Sequence, residues 1–171
     1  MTSAQPCELP GHALLHRYRE AGGYTDCYTI EFERVVSLAE YVEAFYTTAV
    51  FKLERFIIAS LVRRPSTDTQ VRELAVGSRT TFAAWTVEAR EADQILLCDY
   101  QQRTRSWLMI APAAESSRTR LYFGSAIVPV IDRRTRQRRM SLAFHALLGF
   151  HKLYSGVLLN AAARRLRRRQ H

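Results

Sequence analysis

Along residues 28–33, Tyr28, Ile30 and Phe32 alternate with Thr29, Glu31 and Glu33, the period-two pattern of a strand with one wet face. The period then changes. Ser37 stands three residues before Glu40, as in a capping box, while Val36 and Tyr41 are spaced as a hydrophobic staple, so a helix is predicted to start at Leu38. Leu38, Tyr41, Val42, Phe45, Ala49, Leu53, Phe56, Ile57 and Leu61 continue at helical spacing until Pro65. Thr67 and Gln70 form a second box, and Gly77 is placed to close the short helix that carries Val71 and Leu74.

Strands rich in Thr, Trp, Val, Ile, Tyr and Phe are expected over 80–90, 94–102, 104–111 and 119–130, joined by short polar connections as an antiparallel meander. A turn on Gln102 and Arg103 would set Tyr100 opposite Arg105, Cys98 opposite Trp107 and Leu96 opposite Met109, with Asp99 and Ser106 paired on the other face. Residues 113–118 read as a turn and 132–139 as an exposed basic loop. A long helix over 140–169 closes the chain. Phe144, Leu147, Leu148, His151, Tyr154 and Leu158 share its broad face, and Gly149, Gly156 and Ala163 recur along a narrow stripe. Helix-interior glycine costs about 0.5–1 kcal/mol relative to alanine, so the stripe is expected to mark close approach, by the sheet in the favoured reading and otherwise by a ligand or a second subunit.

This order of elements, with the segments Tyr24–Phe32 and Phe150-His151-Lys152-Leu153-Tyr154, resembles the helix-grip fold of the START-like superfamily, which includes the Bet v 1 and polyketide cyclase groups. The resemblance spans about residues 24–166. It implies an α+β fold: a curved antiparallel sheet, two helices after the first strand, and a long C-terminal helix packed across the sheet. Such folds enclose a cavity for lipids, hormones, polyketides or other apolar molecules, and some members catalyse reactions there. The pattern contains five clear strands where the fold usually has seven, although 80–90 and 119–130 are long enough to bend into two. A cystatin-like cone is the competing architecture, and it accounts less well for so long a final helix.

Composition adjusts this picture little. The 171 residues are enough for one domain with a sizeable core, 1–171, of which 1–23 reads as an irregular N-terminal segment and 164–171 as a basic tail. With 47% apolar and 24% charged residues, neither disorder nor a fibrous architecture is indicated. No secretory pattern opens the chain and charged residues break its apolar stretches, so a cytoplasmic location is expected. Cys7, Cys27 and Cys98 are odd in number and lack CxxC spacing, and they read as reduced thiols. The net charge of +9 arises from 23 Arg against 2 Lys, with Arg clustered at 133–139 and 164–169. These clusters suit phosphates of nucleic acid or anionic membrane, although solvation of a loop and a chain end is the favoured reading.

Candidate chemistry is sparse. His12 and His16 are four apart, but Pro10 and Gly11 disturb a helix there, so no metal site is expected. No GxSxG, P-loop, GxGxxG or HExxH pattern occurs, and no cofactor is expected. Asp99 and Arg105 are charged residues within apolar strands, and His151 lies on the apolar face of the last helix. With Trp85, Trp107, Tyr122 and Tyr154 as walls, these side chains form the expected ligand-binding set. The expected function is binding of a hydrophobic or amphipathic small molecule, by a monomer or a homodimer. The alternatives are a cyclase-, dehydratase- or isomerase-type enzyme using His151 or Asp99, and an Arg-rich interaction module.

Overall fold

The first long strand and the last one hold the architecture together, because they lie side by side although almost a hundred residues separate them. The computed structural model describes residues 3–52, 66–115, 117–128, 130–131, 138–139 and 142–168, with backbone alone at 130–131, 138–139 and 142–153. Its strands are β1 (Gln5–Pro6), β2 (Tyr24–Phe32), β3 (Thr81–Phe82), β4 (Trp85–Arg90), β5 (Gln94–Asp99), β6 (Thr104–Pro112), β7 (Thr119–Ile127), β8 (Val130–Ile131) and β9 (Arg138–Arg139). The helices are α1 (His16–Glu20), α2 (Leu38–Tyr46), α3 (Asp68–Val76) and α4 (Leu142–Arg168).

The main sheet has seven strands in the order β1-β2-β7-β6-β5-β4-β3, and every neighbouring pair is antiparallel. From β2 the chain crosses to the far edge through α2 and α3, then returns as a meander until β7 closes against β2. The C-terminal helix α4 packs on α2, β2 and β7, giving an α+β fold with α2 and α4 on one face of an antiparallel sheet and the short α1 on the other. Among the described residues no helix is long and apolar enough to cross a membrane.

Alternation along each strand sorts side chains between two cores. On the helix face, Ile30, Phe32, Ile95, Leu97, Leu108, Leu121 and Phe123 pack with Tyr41, Phe45, Tyr46 and Leu158. On the opposite face Cys27, Leu96, Trp107, Met109, Tyr122 and Ala126 are covered by Ala13 and Leu15 from the N-terminal segment. With both faces covered, Ile95-Leu96-Leu97 becomes an unbroken apolar run rather than an alternating one. Gln94, fully buried, fixes the covering segment: its side-chain amide donates to the His12 carbonyl at 3.0 Å, and its oxygen accepts from Leu14 N at 3.0 Å and Trp107 Nε1 at 2.9 Å.

Several expectations are corrected. The helix read continuously over 38–61 ends at Tyr46, because Thr47 Oγ1 donates to the Glu43 carbonyl at 2.6 Å and Thr48 Oγ1 to that of Phe45 at 2.9 Å. Thr48 Oγ1 also accepts from Phe51 N at 3.2 Å and so caps a new helical turn over 49–52; residues 53–65 lie outside the described ones. The strand read over 80–90 is two, β3 and β4, separated by a turn in which Ala83 has φ 51°. With β1 they complete the seven strands, whereas 119–130 does not split within the sheet; Val130–Ile131 pairs with β9 instead.

Cys98, not Tyr100, faces Arg105, and Leu96 faces Trp107, a register two residues from the one expected. The connection is longer because Asp99 Oδ1 accepts from Arg103 N at 2.7 Å and Thr104 N at 2.9 Å, while Gln102 takes φ 58°. A two-residue shift preserves the face of every side chain. The N-terminal 1–23 contains β1 and α1 rather than only irregular chain, and α4 runs through Arg164 and Arg165 into the segment read as a tail.

Candidate functional site

Between the helices and the inner face of the sheet lies a cavity of about 260 Å³. Phe45 of α2, Phe51, Phe123 of β7 and Leu158 of α4 form its apolar wall. Trp85 and Asp99, partners across β4 and β5, border it at one end together with Thr104 and Ser106, and Tyr100, half exposed, stands at the rim. Tyr154 approaches from α4. The Phe45 ring lies 4.8 Å from that of Phe123 and 6.1 Å from that of Phe51, so aromatic contacts hold the wall in place.

The polar groups around this cavity are mostly engaged. Ser106 Oγ and Tyr46 OH are hydrogen-bonded at 2.9 Å. Ser125 Oγ donates to Asp26 Oδ1 at 2.5 Å, and Asp26 Oδ2 accepts from Ser155 Oγ at 3.2 Å, so one carboxylate ties β2, β7 and α4 together. Two lining residues are exceptions: Arg105 leaves Nη1 without a partner among the described residues, and Trp85 leaves its ring nitrogen so. Trp85 is only 9% exposed, and its indole Nε1–H is buried. A buried donor left unpaired costs about 1–3 kcal/mol, which an acceptor within its reach would recover.

Of the seven residues expected to bind a ligand, Trp85, Asp99, Arg105 and Tyr154 border this one cavity. Arg105 does so from its strand while its guanidinium turns elsewhere. Arg105 Nε donates to Tyr18 OH at 2.8 Å and Glu88 Oε2 at 2.7 Å, with the guanidinium carbon 4.7 Å from the Tyr18 ring centre. Burial pulls the Arg105 pKa down, but the Tyr18 hydrogen bond and the Glu88 charge hold it above its ordinary value. Burial and the Glu88 hydrogen bond raise that of Tyr18. Asp99 and Arg105 differ in strand parity, which is why the two side chains part company.

Trp107 and Tyr122 lie in the other core, beneath the N-terminal segment, and do not border the cavity. The side chain of His151 lies outside the described residues. The two N-terminal histidines are not adjacent on a helix: His12 Nε2 is 3.1 Å from Asp93 Oδ2, and His16 Nε2 is 2.9 Å from the Pro10 carbonyl. Phe45, Phe51, Phe123 and Ser106 were not singled out from the sequence. The expected pairing of Ser106 with the Asp99 face carried the signal for one of them; the three phenylalanines follow patterns shared by any core residue.

Comparison with known proteins gives no matching family model, no matching curated protein and no matching solved structure.

Proposed function

We propose that this protein is a helix-grip member of the START-like superfamily that binds a compact, uncharged amphipathic molecule between its sheet and C-terminal helix. One observation carries the reading: a cavity walled by aromatic and apolar side chains is bordered by a tryptophan whose buried N–H has no partner among the described residues. Apolar walls with one or two oriented polar groups are what small-molecule sites use to combine affinity with orientation. The volume, about 260 Å³, is slightly below the roughly 300 Å³ at which drug-sized pockets begin, which favours a compact body. The ligand presents a carbonyl, ether or hydroxyl oxygen to Trp85 Nε1 and its apolar part to Phe45, Phe51 and Phe123. The Asp99 carboxylate at the same end disfavours an anionic head group.

A matched pair of probes tests this. 1-Acetylnaphthalene and 1-ethylnaphthalene have similar shape, but only the first offers an acceptor. The ketone is expected to bind about 3- to 10-fold more tightly, the value of one net hydrogen bond, and to shift the Trp85 indole proton resonance. Trp85→Phe should remove the preference and leave binding of the hydrocarbon. Equal binding of both probes to the parent protein, or no shift of the Trp85 resonance at saturation, would sink the proposal. Native mass spectrometry of freshly purified protein adds an independent readout, because a stoichiometric apolar passenger names the ligand class directly.

A further inference from the structure

On the outer edge of the sheet, β1 pairs with β2 so that Pro6 faces Tyr28 and, one residue on, Cys7 faces Cys27, with Cys7 N donating to the Cys27 carbonyl at 3.0 Å. Their sulfur atoms are 3.2 Å apart and both thiols are free. Directly opposed antiparallel residues have Cα separations of about 4.5–5.5 Å, inside the roughly 4.4–6.8 Å that disulfides span. Closing the bond therefore asks for rotation of two side chains and not for movement of the strands.

The two sulfurs differ in surroundings. Both border an open cleft of about 550 Å³ with Arg19, Tyr24 and Asp26, but Cys27 is buried whereas Cys7 is half-buried. The hydrogen bond shared with Cys27 lowers the Cys7 pKa, and the positive charge of Arg120 acts in the same direction against burial. The hydrogen bond to Cys7 and burial raise that of Cys27. The more exposed thiol, whose pKa is lowered, next to a buried thiol, whose pKa is raised, gives an attacking and a resolving cysteine in the required order. The third cysteine, Cys98, is raised by burial and donates to the Asp99 carbonyl at 3.3 Å.

We propose that Cys7 and Cys27 form a peroxide-reactive dithiol whose disulfide fastens the N-terminal segment to the sheet. The Cys7 thiolate attacks one oxygen of a hydroperoxide; the O–O bond breaks, leaving a sulfenic acid on Cys7 and releasing hydroxide or alkoxide, which takes up a proton. The Cys27 sulfur then attacks Cys7 sulfur as its own proton leaves; the S–O bond breaks and hydroxide departs as water. Two thiols lose two electrons in total, and the peroxide gains them. A dithiol reductant returns both cysteines to thiols by exchange, itself becoming a disulfide. The consequence is mechanical: β1 is only two residues long, yet the segment that follows it covers the outer core through Ala13 and Leu15. The bond closes a loop of about twenty residues and removes freedom from the unfolded chain.

The experiment exposes the full chain to hydrogen peroxide and reads intact mass, a non-reducing peptide map and a thermal melt before and after reduction. The expected result is one cross-linked Cys7–Cys27 peptide and a rise in Tm of about 5–10 °C that the reductant abolishes. Cys98→Ser should behave as the parent. Cys27→Ser should halt at a Cys7 sulfenic acid that a dimedone probe captures; circular dichroism checks its fold, and the parent measurement stands without it. Preferential oxidation of Cys98, a disulfide between two molecules, or conversion of Cys7 to sulfinic acid without a cross-link would each overturn the proposal.

Discussion

A methyl group added at Gly124 would meet the Asp26 carbonyl oxygen at 2.7 Å, Leu15 Cδ1 at 2.8 Å and the Trp107 ring at 3.0 Å. All three lie in well-packed surroundings where β2, β7 and the N-terminal segment converge, so nothing can yield cheaply. Gly124→Ala is therefore expected to destabilise the protein by about 1–3 kcal/mol, read from the midpoint of a urea melt. Gly156 is the opposite case. Its added methyl would meet only Tyr28 Cε1, at 3.9 Å, an ordinary contact. The glycine stripe of the last helix was expected to reflect close approach by the sheet, and at Gly156 the backbone is not close; Gly149 lies outside the residues with described side chains. Gly156→Ala should stabilise the protein by about 0.5–1 kcal/mol in the same melt, because alanine costs less conformational entropy in a helix. A loss of stability at position 156 would show that a neighbour, chain or ligand, fills that space.

At the scale of elements, the caps were legible because their chemistry is local. Ser37 Oγ accepts from Glu40 N at 3.2 Å while Glu40 Oε2 accepts from Ser37 N at 2.9 Å, and Thr67 and Gln70 repeat the exchange. Gly77 ends α3 at φ 85°, a left-handed conformation that explains its place in the sequence. The interruption at Thr47 and Thr48 was not legible, since apolar spacing continues across it and only the side-chain hydrogen bonds divert the backbone. Thr48→Ala removes the cap of the following turn and should cost about 1 kcal/mol; Thr48→Ser, which keeps the hydroxyl, should recover most of it. Equal loss for both variants would assign the effect to the methyl group instead. Strand faces could be read from parity, yet which face the helices cover could not. Trp85 and Trp107 look alike in sequence, and only the N-terminal segment, which places Leu15 over Trp107, separates a cavity wall from a second core. That segment carries no periodic signal of its own, and its anchor, Gln94, reads as a strand-end polar residue.

For the whole molecule, the tyrosines around β2 set a limit on stability at high pH. Burial is the first cause that raises the pKa of Tyr18 on α1, Tyr24 and Tyr28 on β2, and fully buried Tyr41 on α2; nearby Asp26 adds to the rise at Tyr24 and Tyr28. Tyr24 is pushed up to about 12. An unfolded tyrosine releases its proton near pH 10, whereas each of these holds it to higher pH in the folded chain. Above about pH 10 the unfolded state therefore binds fewer protons than the native one, and the free energy of unfolding falls as pH rises. The fall should run from about 10 to about 12, the interval between the ordinary tyrosine value and that of Tyr24. Because these residues lie on both sides of β2, which joins the N-terminal segment, α2 and α4 to β7, ionising them dismantles the fold at its closing seam. Urea melts at pH 8.5 and at pH 10.5 should differ in midpoint with an unchanged slope. Tyrosinate absorbance should rise together with loss of the far-ultraviolet signal as pH is increased. If several tyrosines ionise near pH 10 while the circular dichroism stays native, the seam is more open to water than its packing implies and the predicted fall in stability will not occur.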